Sequence, residues 1–306
     1  MAEFSVPEAL SVGGGLIARR PLAVLVWGAL PIVVVVPLLL AFAGTLFAII
    51  VQASKAGGDQ TAIAASILPE IGGLLLFVFL ALILLWVLGA VTTAAAYRAV
   101  LRPEQSAFGY LRFGGEELWL MAVSFVMGLV FFGVGLAFAI PQSIVNLAVM
   151  NSGVQAQVSA AALFGLLRYG VTIWLWLRLS MALPMTFADG KFHLFESWAL
   201  TRGHTVQLLV FCILAALILV GIELVAFVLV IGGGFLMAGG ALRAAFASPQ
   251  AFFANPQAVI AALGPVLVLW TLMLVVISGV STALFRAPFA HIYRRLAAAD
   301  PAAAFT

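Results

Sequence analysis

From Leu74 to Val91 the chain reads LLLFVFLALILLWVLGAV, a run without a single charge. Apolar side chains surround any helix drawn through it, and no strand-like alternation of apolar and polar positions occurs. A helix satisfies its own backbone hydrogen bonds, as hydrocarbon demands, and about 20 residues suffice to cross a bilayer. With its flanks this block runs from about 67 to 97, and five others share its character: 22–52, 117–140, 159–185, 206–235 and 257–288. The expected fold is therefore all-α: a polytopic membrane protein whose six transmembrane helices form three hairpins within a single domain spanning 1–306. Composition agrees. Of 306 residues, 65% are hydrophobic and only 8% charged, whereas a soluble domain carries about 25% charged residues. This excludes a soluble globular enzyme and a disordered chain, and one cysteine, Cys212, excludes a disulfide scaffold. Pro31 and Pro37 are expected to bend the first span.

Basic residues orient the spans. Arg19 and Arg20 precede the first; Arg98, Arg102 and Arg112 lie between the second and third; Arg178, Lys191 and Arg202 surround the link from the fourth to the fifth; Arg286, Arg294 and Arg295 end the sixth. Eleven of the 14 basic residues thus fall on one side, with Lys55 and Arg243 opposite and Arg168 within a span. The positive-inside rule places both termini in the cytoplasm. Ala41-Phe42-Ala43 resembles a signal cleavage site, and Arg19-Arg20 a twin-arginine flank. The apolar run before Ala41 is too long for a signal peptide, so the first span is expected to remain.

Leu-x-x-Gly elements at Leu10–Gly13, Leu111–Gly114 and Leu200–Gly203 follow Phe4, Phe108 and Phe195, suggesting a threefold hairpin repeat. Gly13-Gly14-Gly15 suits a flexible connector, and Gly232-Gly233-Gly234 suits close helix packing. Between Asp189 and Trp198, helical spacing would put Phe192, Phe195 and Trp198 on one face, with Gly203 as a stop. The expected element is an interfacial elbow helix on the inner leaflet that orients the next span. With Arg202, the same face offers a docking surface for lipid headgroups or another membrane protein. Residues 108–113 read similarly. On the opposite side, 141–158 and 236–256 read as loops hugging the outer leaflet.

Charges within spans cost at least about 2.5–3.5 kcal/mol each, so each needs a partner or a purpose. At 1.5 Å per residue, Arg168 and Glu223 both lie roughly 25 Å from the cytoplasmic end, where neighbouring antiparallel helices would pair them. The alternatives are snorkelling to the outer interface or service in a substrate or proton path. Arg178, nearer the cytoplasm, is placed to meet inner-leaflet phosphates or carbonyls freed by Pro184, or to act as a snorkelling anchor. Glu70 reads as a solvated helix end, and Cys212 as a small apolar residue.

No metal or other cofactor is expected. The three histidines, His193, His204 and His291, form no H-E-x-x-H motif. Neither a P-loop nor a G-x-S-x-G elbow occurs. The net charge of +3 reflects the inner flanks rather than a nucleic-acid surface, so no nucleic acid is expected as a partner. Stretches between spans are about 20 residues, below the roughly 50 of a small soluble domain.

The stretch Arg178-Leu179-Ser180-x-Ala182-Leu183-Pro184, followed by Leu194-Phe195-Glu196-Ser197-Trp198-Ala199-Leu200-Thr201-Arg202-Gly203, resembles uncharacterised six-helix bacterial inner-membrane proteins. These are similar to the membrane domain attached to some glycerophosphodiester phosphodiesterases and to YciC-like proteins. The hairpin plan extends the likeness over most of the chain. The catalytic machinery of those phosphodiesterases belongs to a separate soluble barrel, so the resemblance implies an accessory membrane domain and carries over no catalytic residue. The expected function is a non-catalytic integral membrane protein that binds lipid or a membrane-protein partner. The alternative is a small transporter or channel for an amphiphilic substrate, although few polar side chains lie at mid-membrane depth. Scarcity of paired Asp, Glu and His weighs against an intramembrane enzyme.

Overall fold

The computed structural model describes residues 4–55, 60–247 and 256–299. Its elements are α1 (Val6–Arg19), α2 (Pro21–Lys55), α3 (Gln60–Leu101), a 3-10 turn (Ala107–Tyr110), α4 (Gly115–Ala148), α5 (Val154–Leu179), α6 (Ala182–Asp189), α7 (Glu196–Leu200), α8 (Thr205–Ala247) and α9 (Pro256–Ala299). No strand occurs among the described residues. Among the described residues, six segments are long and apolar enough to cross a membrane: Pro21–Gln52, Ile71–Leu101, Ala107–Ala148, Val154–Asp189, Thr205–Gly234 and Gly264–Ala298. The chain is an all-α, multi-pass membrane protein. Large apolar side chains such as Leu39, Phe79, Phe132, Leu166 and Phe227 are exposed along these helices, as a lipid-facing surface requires.

Several boundaries differ from expectation. The stretch 141–158 is mostly helical, because α4 continues through Pro141 to Ala148 and α5 begins at Val154. The helix continues past Pro141 although that residue has no N–H for the Ala137 carbonyl. Likewise α8 continues to Ala247, and the rest of the expected 236–256 loop lies largely outside the described residues. Helix α2 runs through both Pro31 and Pro37. The triple glycine at 13–15 is no flexible connector, since it lies inside α1, whose buried residues are Ala9 and Gly13. The three Leu-x-x-Gly elements share no local conformation: Gly13 is helical, Gly114 is extended with φ −163°, and Gly203 has φ +86°. Their leading phenylalanines differ too, with Phe4 4% and Phe108 90% exposed. The sequence repeat is therefore not a repeat of local structure.

The chain divides into two compact units whose boundaries fall within α1, α3, α8 and α9. One comprises Gly14–Thr92 and Ala215–Leu284. Here α2 and α9 approach backbone to backbone. A Cβ on Gly28 would lie 1.9 Å from the Val275 carbonyl oxygen, and one on Gly279 would lie 2.2 Å from that of Val24. Lipid tails are as apolar as leucine, so helices in a membrane associate largely through such close packing. Gly233 and Gly234 serve α8 similarly, since added Cβ atoms would meet Leu269 and Val266 of α9 at 3.0 and 3.2 Å. The close packing expected of this glycine run is present at two of its three positions.

The other unit comprises Met1–Gly13, Thr93–Leu214 and Phe285–Thr306, and contains most of the buried side chains. Phe289 receives Trp176 and Phe211 edge-on, with ring centroids 5.7 and 5.5 Å away. Arg286 contacts the Thr93 hydroxyl, joining α9 to α3. Helix α1 is fixed to α9 by an ion pair from Arg295 to Glu8, with His291 Nε2 3.4 Å from the same carboxylate. The bond from Arg295 holds Glu8 below the usual carboxylate range.

Replacing Gly28 with alanine should destabilise the protein by at least about 1–3 kcal/mol, because the obstructing atoms are backbone and cannot rotate away. Gly44, in the same helix, has open space where its Cβ would be. Gly44→Ala should leave the melting temperature in detergent unchanged or raise it.

Candidate functional site

Two polar clusters join consecutive helices within residues 93–214. The first joins α3 to α4. Phe108, Gly109 and Tyr110 all have positive φ, at 51°, 66° and 68°. That conformation costs a non-glycine residue on the order of 1 kcal/mol or more. It delivers the Tyr110 carbonyl to Arg98 Nη1 at 2.6 Å. Arg98 Nη2 donates to Glu117 Oε1 at 2.6 Å and to Glu116 Oε2 at 2.9 Å. The side chains of Arg98 and Glu117 are each 1% exposed. Glu117 Oε2 also accepts the Gly114 N–H at 2.9 Å, capping α4. Arg102 pairs with Glu116 Oε1 and reaches the Ala188 carbonyl at 3.3 Å. The Phe187 ring of α6 lies beneath both guanidiniums, at 5.3 and 5.2 Å.

Sequence reading assigned Arg98, Arg102 and Arg112 only to orientation and missed this network. Its signal was present: two arginines four residues apart end one span, and Glu116-Glu117 opens the next. A cavity of about 480 Å³ adjoins the network, and Arg98, Arg102, Arg112, Glu116 and Glu117 contribute to its walls.

The second cluster is the joint from α5 through α6 to α7. Helix α5 ends at Leu179, and the freed carbonyls are taken by hydroxyls. Ser180 Oγ donates to the Leu177 carbonyl at 2.7 Å, and Ser197 Oγ and Thr201 Oγ1 both donate to that of Arg178, at 2.7 and 3.3 Å. Ser197 Oγ also accepts the Met181 N–H at 3.1 Å. Side-chain hydroxyls are the usual device for satisfying freed backbone within a membrane.

The elbow differs from the expected amphipathic helix over 189–198. Short helices are present as α6 and α7, but Gly190 stops α6 in a left-handed conformation, φ 65°. The chain is then non-helical until Glu196. Local bonds compete with helix there: Thr186 Oγ1 donates to the His193 carbonyl at 3.1 Å and accepts its N–H at 3.2 Å. Glu196 Oε2 accepts the Leu194 N–H at 3.0 Å. Phe192 and Phe195, both exposed, therefore precede α7 and share no helical face with Trp198. Arg202 is exposed just beyond it.

Arg178 lies 5.6 Å above the Trp198 ring, which meets Trp174 edge-on at 4.9 Å. Its Nε and Nη1 are buried and have no hydrogen-bond partner within the protein. Hydroxyls, not this guanidinium, take the carbonyls at the helix break. Arg168 is half-buried, 5.3 Å over the Tyr169 ring, and Glu223 is exposed on α8. These two residues belong one to each unit, and their pairing stays an expectation. Among the described residues, no group of three or more His, Cys, Asp or Glu is placed to hold a metal. Comparisons of the chain with protein-family models, curated proteins and solved structures find no match in any of the three.

Arg98→Ala leaves Glu117 charged and buried, so it should cost about 3–5 kcal/mol. The double variant Arg98→Met/Glu117→Leu should be more stable than either single variant, as a double-mutant unfolding cycle would show. Glu196 offers a pH test. Burial raises its pKa, but the bonds from its own and the Leu194 amide, with His193 nearby, outweigh that and hold it below 4.5. A depressed folded-state pKa contributes stability above the unfolded value that is lost as pH falls through the folded one. The melting temperature should therefore fall with acidification below about pH 4.5, and Glu196→Gln should reduce that fall.

Proposed function

We propose that this is a non-catalytic integral protein of the bacterial inner membrane, with both termini cytoplasmic, that holds lipid headgroups at the ends of its spans. The carrying observation is Arg178. A guanidinium at the end of an apolar span, with two buried nitrogens lacking a protein partner, needs acceptors. Lipid phosphates and ester carbonyls are the acceptors available at that depth. Trp174 and Trp198 beside it suit the headgroup level. The charge asymmetry of the connectors supports the orientation. We further propose that the residues from Arg178 to Gly203 mark a relationship to the stand-alone six-helix membrane proteins they resemble.

The Arg178 side chain can be removed without dismantling the joint, because Ser197 and Thr201 bind its backbone carbonyl. Native mass spectrometry in a lipid-retaining detergent, combined with lipidomics, should show phospholipid bound at fixed stoichiometry. Arg178→Ala should lose about one such lipid per chain while its melting temperature stays close to the parent's. Unchanged lipid occupancy in that variant would overturn the proposal.

A further inference from the structure

The cavity beside the first cluster has a distinctive imbalance. Both acidic groups in its wall are already engaged on both oxygens: Glu117 by Arg98 and the Gly114 amide, Glu116 by Arg102 and Arg98. The cationic groups are not all so engaged. Arg112 is exposed and makes one long hydrogen bond, to Gln105 Oε1 at 3.3 Å. Three guanidiniums against two carboxylates leave one positive charge in excess, so the spare capacity is donor capacity. A guanidinium offers up to five N–H donors in a fork that matches the oxygens of phosphate. An acceptor-rich anion is therefore the chemical class that fits, and a cation is not.

Position selects among anions. Phe113 and Trp119 also line this cavity and are 63% and 43% exposed. The cavity lies where α3 ends and α4 begins, at the margin of two apolar spans. A free phosphate ion would leave those rings uncovered, whereas a lipid would bring acyl chain against them as its phosphate met the arginines. At about 480 Å³, the space falls within the usual range for a small-molecule site.

We propose that this cavity binds the phosphodiester headgroup of a membrane lipid, with Arg112 as the principal cation and Arg102 beside it. The site rests on the lipid-binding reading above and adds a second position, in a cavity that Arg178 does not line.

The test uses the full chain, purified in a phosphate-free non-ionic detergent. It is titrated separately with dioctanoyl phosphatidylglycerol, with dioctanoylglycerol, which lacks the phosphate, and with inorganic phosphate. Saturable binding of the phospholipid but not of dioctanoylglycerol is expected. Arg112→Gln should weaken it about tenfold or more, and Arg112→Lys should retain part of the affinity. Since Arg112 is exposed and makes one hydrogen bond, these variants should melt with the parent. Arg178→Gln should lose co-purified lipid but keep the Arg112-dependent step of this titration, so failure at one position is distinguishable from failure at the other. Equal phospholipid affinity in Arg112→Gln would overturn the site. Inorganic phosphate binding as tightly as the phospholipid would overturn the lipid headgroup as its occupant.

Discussion

Arg98 and Glu117 bury opposite charges among largely apolar helices, and the connector from α3, the start of α4 and the end of α6 all meet at that pairing. Removing either ion from water costs several kcal/mol, which only close geometry and further hydrogen bonds offset. The connector supplies them by turning through three left-handed residues to present the Tyr110 carbonyl. Helix α4 contributes a capped first turn, with Glu117 serving both Gly114 and Arg98. Helix α6 contributes the Phe187 face and the Ala188 carbonyl. The strained connector is held because Arg98 Nη1 would otherwise lose its acceptor.

The two units solve the same problem with different chemistry. Hydrocarbon gives apolar helices no reason to prefer one another over lipid, so each contact must offer something lipid cannot. Around Gly28 and Gly279 the offer is proximity, because absent side chains let backbones touch. Around Arg98 and Arg178 it is hydrogen bonding, with ions at one cluster and serine and threonine hydroxyls at the other. The unsatisfied donors that remain, on Arg178 and near Arg112, follow from the same accounting. In the proposed function, they are where lipid oxygens would take over from the protein's own groups.

The spans were legible because apolarity over 20 residues has few structural meanings. The close packing at Gly233 and Gly234 was legible for a similar reason, glycine being the residue that allows it. Helix ends were less so. Pro141 and the neutral residues after it read as a loop, yet helix continues, because nothing in a local pattern reports what satisfies the backbone beyond a proline. The 189–198 elbow failed conversely: Phe192, Phe195 and Trp198 have helical spacing, but Gly190, Thr186 and Glu196 divert the backbone first. Arg178 was identified from its depth alone. The Arg98 network was missed because net charge on a connector was read as topology, which hides pairing between the end of one span and the start of the next.

Helix α1 and helix α2 both close on α9, through Glu8 with Arg295 and through Gly28 with Gly279. The first of these contacts joins residues 287 positions apart. At ribosomal rates of about 5–20 residues per second, Glu8 waits on the order of 15 to 60 s for its partner to be made. For that interval the nascent chain's first helices lack their final neighbour, and Val24 and Gly28 must face lipid, the insertion machinery or a provisional helix. Both contacts therefore wait on the synthesis of α9.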